Sequence, residues 1–217
     1  MSGLDSRRFI LDRIRVALDV TEDGTRSQAR LRDWCAIPRL YRQTRALEQP
    51  DRIRLFKERL SHYNAGVHTS SGDVPSDIRQ ILSAHAKRVL IVPPGFPDQW
   101  LPSGFMFIPD ENLSNQQLSS SDGVITGCTL AIALTGTIVL ESSPQQGRRA
   151  ATLIPDYHLC VVRKEDIVEF VPEAIRKLEA MKHRPLTFVS GPSATVDIEM
   201  TRVRGVHGPR TLDVLIA

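Results

Sequence analysis

The sequence predicts an α/β protein: a mainly parallel sheet flanked by helices, with an N-terminal helical arm. Three observations carry this. From residue 51 onward, short apolar runs alternate with stretches of helical period, the pattern of repeated βαβ units. The run Arg88–Pro93 is continuously apolar between its ends, as expected of a strand buried on both faces of a parallel sheet. The first 50 residues differ: one amphipathic stretch is followed by some thirty residues without period.

In order along the chain, Phe9, Ile10, Arg13, Ile14, Ala17 and Leu18 recur at helical spacing, so residues 5–18 read as a helix with Asp5 near its start. Residues 19–50, punctuated by Asp23-Gly24-Thr25, Pro38 and Pro50, read as an extended arm that wraps the body or a second subunit. Residues 1–50 thus form the arm and 51–217 the α/β domain. Within the latter, Ile53, Leu55, Phe56 and Leu60 predict a helix over 51–63. A strand follows at Gly66–Thr69, a helix at Ser76–Ala86, and strands at Arg88–Pro93, Phe105–Ile108 and Asp122–Thr126. Further strands are expected at Thr137–Glu141, His158–Val162, Pro185–Ser190 and Leu212–Ile216, with a helix over Glu165–Lys182 that contains Pro172. Between Gly127 and Thr137 the two bracketing glycines suggest a small apolar turn of helix.

Composition narrows the function classes. With 217 residues, 41% hydrophobic and 24% charged, the chain has the size and balance of an ordinary globular protein. The net charge of +3 is too small to argue for nucleic acid. Residues 1–60 carry 14 Lys and Arg against 9 Asp and Glu, so the arm is basic and the remainder is near neutral. A basic stretch of that kind is expected to be a solvated face. Cys35, Cys128 and Cys160 are odd in number and widely spaced, with no C-x-x-C, so neither a disulfide framework, a zinc ribbon nor a self-contained iron–sulfur cluster is expected. No apolar run has transmembrane length and no leader pattern opens the chain, so a cytoplasmic location is expected.

In parallel sheets ligands bind outside the carboxyl ends of strands, near a switch in strand order. That rule directs attention to the loops after Thr126 and Ser190. The first holds Gly127, Thr135, Gly136 and Thr137, and the second Gly191, Ser193 and Thr195. Glycines admit close ligand approach, and hydroxyls with free backbone N–H groups can hold a carboxylate or phosphate. Close packing of the glycines on a neighbouring element is the alternative. Arg210 can clamp a carboxylate through its fork of donors, as can Arg148 and Arg149. The weaker catalytic candidates are Glu141, Asp197 and His207: a strand-end carboxylate, an acid paired with Glu199, and a histidine set between glycines. No G-x-x-x-x-G-K-[ST] or G-x-G-x-x-G is present, so no nucleotide or dinucleotide motif is seen, and neither a cofactor nor a metal is assigned.

Taken together, two segments resemble the LUD domain of the lactate-utilisation protein C family. The first runs from Asp122 through Thr126-Gly127-Cys128 to Ala131–Leu140, supported by Arg148-Arg149-Ala150 and Leu153-Ile154-Pro155. The second runs from Ser190-Gly191-Pro192-Ser193 to Glu199 and is followed by Gly205–Pro209. The resemblance implies a fold similar to the sugar-phosphate isomerase and CoA-transferase group. It also implies a part in oxidising L-lactate to pyruvate beside two iron–sulfur partner proteins. The absence of cluster ligands then makes this a non-redox subunit, one that binds a small anion or docks its partners. Against that stand a stand-alone enzyme acting on a sugar phosphate or acyl thioester through Glu141, Asp197 or His207, and an adaptor with vestigial loops. A fold shared with enzymes does not by itself decide between them.

Overall fold

The computed structural model describes residues 3–17, 32–38, 46–181, 184–196, 202–204 and 207–217. Two compact units form, residues 1–41 and 42–217. In the first, α1 (Gly3–Ala17) matches the amphipathic reading, and residues 32–36 form a helical stretch, α2. The rest of the expected arm falls largely outside the described residues.

The second unit is built on six strands: β1 (Gly66–Thr69), β2 (Val89–Val92), β3 (Met106–Pro109), β4 (Gly123–Thr126), β7 (Tyr157–Val162) and β12 (Thr211–Ile216). Their order is β1-β12-β7-β4-β2-β3, and every pairing is parallel. All residues of β4 and β7 are buried, as the apolar runs require of central parallel strands. Successive side chains of a strand point to opposite faces. Leu159 and Val161 therefore join Leu90, Ile125 and Leu215 under α4 (Val74–Ala84), which contributes Ile78, Ile81 and Leu82. Cys160 and Val162 face the other way, toward Val214, Ile216 and the α3 helix (Gln49–His62) with its Phe56 and Leu60. On that same face α5 (Asn115–Ser119) covers Ile91 and Val124 with Leu118.

A second sheet, of order β8-β5-β6-β9, packs there as well: β5 (Leu130–Ile132), β6 (Thr137–Glu141), β8 (Ile167–Val168) and β9 (Leu186–Val189). Ala131, Ile138 and Leu140 face the large sheet, while Leu130, Ile132 and Val139 are closed off by Ala174 and Leu178 of α6 (Val171–Leu178). Only β5–β8 is parallel; β5–β6 and β6–β9 are antiparallel. A small antiparallel pair, β10 (Ala194–Val196) and β11 (Arg202–Arg204), follows β9.

Three expectations are corrected. The stretch between Gly127 and Thr137 is β5 and a tight turn into β6, not helix: the alternation Leu130/Ile132 against Ala131 serves two buried faces. Thr137–Glu141 and Pro185–Ser190 are strands, but of the smaller, mixed sheet, where they pair antiparallel. The expected helix Glu165–Lys182 breaks up. A 3-10 turn at Lys164–Asp166 and then β8 precede α6, which starts beside Pro172, and a second 3-10 turn spans Glu179–Met181. Proline lacks an N–H and clashes with a preceding turn, so it belongs in a helix's first turn and not its middle.

Candidate functional site

The strand order switches between β2 and β4: the chain leaves β2 for the edge strand β3, then returns on the other side of β2 as β4. A cavity of about 480 Å³ opens there, at the carboxyl ends of β2, β4 and β7. The loop after β2 supplies Phe96 and Trp100, whose rings meet edge to face with centroids 5.8 Å apart. The loop after β4 supplies Gly127, Cys128 and Thr129, and Glu141, Arg163 and Asp166 complete the charged lining.

Gln146 braces this wall. Its Nε2 donates to Thr129 Oγ1 at 2.8 Å and its Oε1 accepts from the Glu141 backbone N–H at 2.7 Å. Glu141 Oε1 lies 3.3 Å from Arg184 Nη1, and Arg163 Nε donates to Asp166 Oδ2 at 2.7 Å. A hydrogen bond to Cys160, together with burial, pushes the Cys128 thiol well above its ordinary range, which favours the neutral thiol.

A second pocket, of about 250 Å³, lies between the turn after β9 and the Arg149–Thr152 turn. Ser190, Gly191, Ser193 and His207 line it together with Arg149, Thr152 and His158. Arg149 is exposed, and among the described residues its Nη1 reaches uncharged oxygens, the Thr152 carbonyl and hydroxyl at 3.3 and 3.2 Å. No carboxylate lines the pocket among the described residues. His158 is buried and its Nε2 sits 2.8 Å from Thr126 Oγ1. Burial, and then the charge of Arg149, lower its pKa to about 4, so the imidazole is neutral near pH 7. Ser193 is pinned from both sides: its N–H donates to the Pro209 carbonyl at 2.8 Å, and its hydroxyl accepts from the His207 N–H at 3.1 Å.

The residues singled out from sequence are therefore dispersed. Ser190, Gly191, Ser193 and His207 share the Arg149 pocket, with Thr126 behind His158. Gly127 and Glu141 line the switch-point cavity. Thr135, Thr137 and Ser190 form a chain of hydroxyls, with Oγ separations of 2.7 and 2.8 Å. Gly136 and Gly191 lie close against α3 and its cap Tyr63. Both have positive φ (59° and 87°), and an added Cβ would lie 2.8 Å from Arg59 Cβ and 2.4 Å from Tyr63 Cβ respectively. Thr195 pairs with Val203 across the β10–β11 hairpin. Arg210 faces Asp156 at 3.6 Å. Arg148 is held by Asp110 through Nε and Nη2, both at 2.9 Å, and by the Leu113 carbonyl. Asp197 and Glu199 lie outside the described residues. No group of three or more His, Cys, Asp or Glu is placed to hold a metal among the described residues, and no helix there is long and apolar enough to cross a membrane.

Sequence reasoning missed the Phe96–Trp100 wall. Its signal is Pro93-Pro94-Gly95 directly after a continuously apolar strand, a strand-end loop like those after Thr126 and Ser190. It also missed a buried polar cluster at the other end of the strands. Asp213, 2% exposed, takes His85 Nε2 at 2.9 Å, His68 Nε2 at 3.1 Å and the Tyr157 hydroxyl at 2.8 Å. Burial pushes the Asp213 carboxyl up, but hydrogen bonds from His68 and Tyr157 and the charge of His85 outweigh it and hold it below the usual carboxylate range.

The architecture defines the class: an α/β protein on an all-parallel six-stranded sheet, with a cavity at its switch point. The model of the LUD domain matches residues 106–217. A lactate utilization protein C of Deinococcus radiodurans is 45% identical over 174 residues, 78% of this chain and 81% of that one. Another protein of that name, from Anoxybacillus flavithermus, is 28% identical over 154 residues, 66% of this chain and 69% of that one. The crystal structure of a DUF162 family protein from Deinococcus radiodurans superimposes with a TM-score of 0.68 at 39% identity, covering 79% of this chain and 99% of that one. The chain belongs to the LUD-domain family.

Proposed function

We propose that this chain is a non-redox subunit of a lactate-utilisation system and that its Arg149 pocket receives a small carboxylate or phosphate. The observation that supports the anion reading is the pocket's charge. One guanidinium without an acidic partner among the described residues stands beside the hydroxyls of Ser190, Ser193 and Thr152, and no carboxylate lines the space. Charge-assisted hydrogen bonds are the stronger kind, and an arginine fork suits a carboxylate. The neutral His158 adds a donor or acceptor without adding charge.

The names of the relatives support the lactate assignment. Three cysteines without cluster spacing support electron transfer through iron–sulfur partners and not through this chain. The working place of such a subunit is the cytoplasm.

Growth tests this reading. Deleting the gene in its host abolishes growth on L-lactate and leaves growth on pyruvate intact, and tagged protein co-purifies with cysteine-rich iron–sulfur proteins. Normal growth of the deletion strain on L-lactate contradicts it. A ligand that binds the folded chain alone also raises its melting temperature by mass action. L-lactate, pyruvate or phosphate therefore stabilises the native chain and not Arg149→Ala.

A further inference from the structure

The switch-point cavity is the larger of the two spaces, and its chemistry is not that of the Arg149 pocket. Its charged lining is Glu141, Asp166 and Arg163, and the arginine is taken up by Asp166 at 2.7 Å and Glu165 at 3.7 Å. What remains is Glu141, with a side chain 11% exposed, whose pairing with Arg184 is a 3.3 Å approach of one nitrogen from a side chain 58% exposed. A small anion meets net negative charge here. A ligand with N–H donors meets an acceptor held in place, because Gln146 fixes the Glu141 backbone.

The opposite wall is aromatic. Phe96 is buried, and Trp100, edge to face against it, is half-buried and lines the cavity. Exposed Gln99 and Gln145 add amides that can both donate and accept. At Gly127 no atom lies within 4 Å of an added Cβ, so the backbone after β4 opens directly onto the space. The volume of about 480 Å³ falls within the roughly 300–1,000 Å³ of small-molecule sites.

We propose that the cavity is a second binding site, for a planar nitrogen heterocycle that carries N–H donors, such as a nucleobase or an isoalloxazine ring. The ring packs on Trp100 and Phe96, and its N–H edge faces the Glu141 carboxylate. This site is separate from the anion pocket and stands or falls independently of it.

Equilibrium dialysis of the full chain against adenosine and against riboflavin tests the proposal, with Trp100 fluorescence read in a Trp34→Phe background, where Trp100 is the one tryptophan left. The expected result is saturable binding of at least one heterocycle with a change in Trp100 emission, and the two probes separate a nucleobase from an isoalloxazine preference. Gly127→Leu, which fills open space, abolishes binding while the melting temperature holds. Glu141→Gln, a near-isosteric change that keeps the proposal testable should Gly127→Leu fail to fold, weakens it at least tenfold. Arg149→Ala leaves it unchanged. No saturable binding of either probe at millimolar concentration overturns the proposal. So does binding that survives both cavity variants, or phosphate or lactate occupying the cavity in place of the heterocycle.

Discussion

His158 shows how a single side chain ties the core to the Arg149 pocket. It is buried on β7, hydrogen-bonded to Thr126, and its pKa of about 4 lies below the ordinary 6.5. A group whose folded pKa is depressed stabilises the fold fully above its unfolded pKa and loses that contribution as pH falls toward the folded value. The window is therefore pH 6.5 down to about 4. Two-state linkage across that window gives a loss of about 2 kcal/mol between pH 7 and pH 5. Denaturant unfolding at the two pH values checks this: the wild-type chain loses about 2 kcal/mol more than His158→Gln. Equal losses contradict a neutral buried imidazole.

Two glycines belong to the same scale. Gly136 and Gly191 have the pattern of ligand loops in the sequence, yet each has positive φ and abuts α3 or the Tyr63 that caps it. Gly136→Ala combines left-handed strain with a Cβ pressed against Arg59, so it costs about 2 to 4 kcal/mol in chemical denaturation. Sequence alone does not separate a glycine that makes room for a ligand from one that makes room for a helix, because both need the same missing Cβ.

At the scale of elements, most strands and the long helices were legible, because their signals are local. Arg88–Pro93 announces a buried strand by its continuous apolar run, and His158–Val162 is likewise legible as a strand; β2 and β7 occupy them. The elements misread were those whose pattern depends on what packs on both sides. Leu130–Ile132 looks like a scrap of apolar helix until the two faces it serves, α3 and α6, are known. Pro172 marks the start of α6, where a longer helical reading runs through it. The helix α4 carries its own start signal: Asp73 accepts from the Ser76 N–H at 3.2 Å. Asp73→Ala removes that cap and lowers stability by about 1 kcal/mol in urea unfolding. No change in the unfolding midpoint contradicts the cap's role.

At the scale of the whole molecule, the parallel sheet separates two polar centres. At its carboxyl end lies the switch-point cavity, as the general rule for such sheets requires. Sequence reasoning reached one of its walls, at Gly127 and Glu141, and missed the other, since strand order is a long-range property no local motif encodes. The loop after Ser190 fits the same rule in the sequence, but it follows a strand of the smaller, mixed sheet and meets the core beside His158 and Arg149. Toward the other end, Asp213 of β12 gathers His68 of β1, Tyr157 of β7 and His85, which caps α4. Its lowered pKa stabilises the fold at neutral pH and loses that contribution as pH falls below the ordinary carboxylate range. Asp213→Asn leaves these donors poorly matched and costs about 2 kcal/mol at pH 7, measured by denaturant unfolding.

The proposed small-anion site stands on the Arg149 pocket. Calorimetric titration of L-lactate, pyruvate and phosphate into the full chain tests it most directly. Saturable binding of at least one of them at one site per chain is expected, weakened about 10- to 100-fold in Arg149→Ala, the loss expected for one charge-assisted hydrogen-bonding group. Absence of binding by all three, or affinity unchanged in Arg149→Ala, contradicts it.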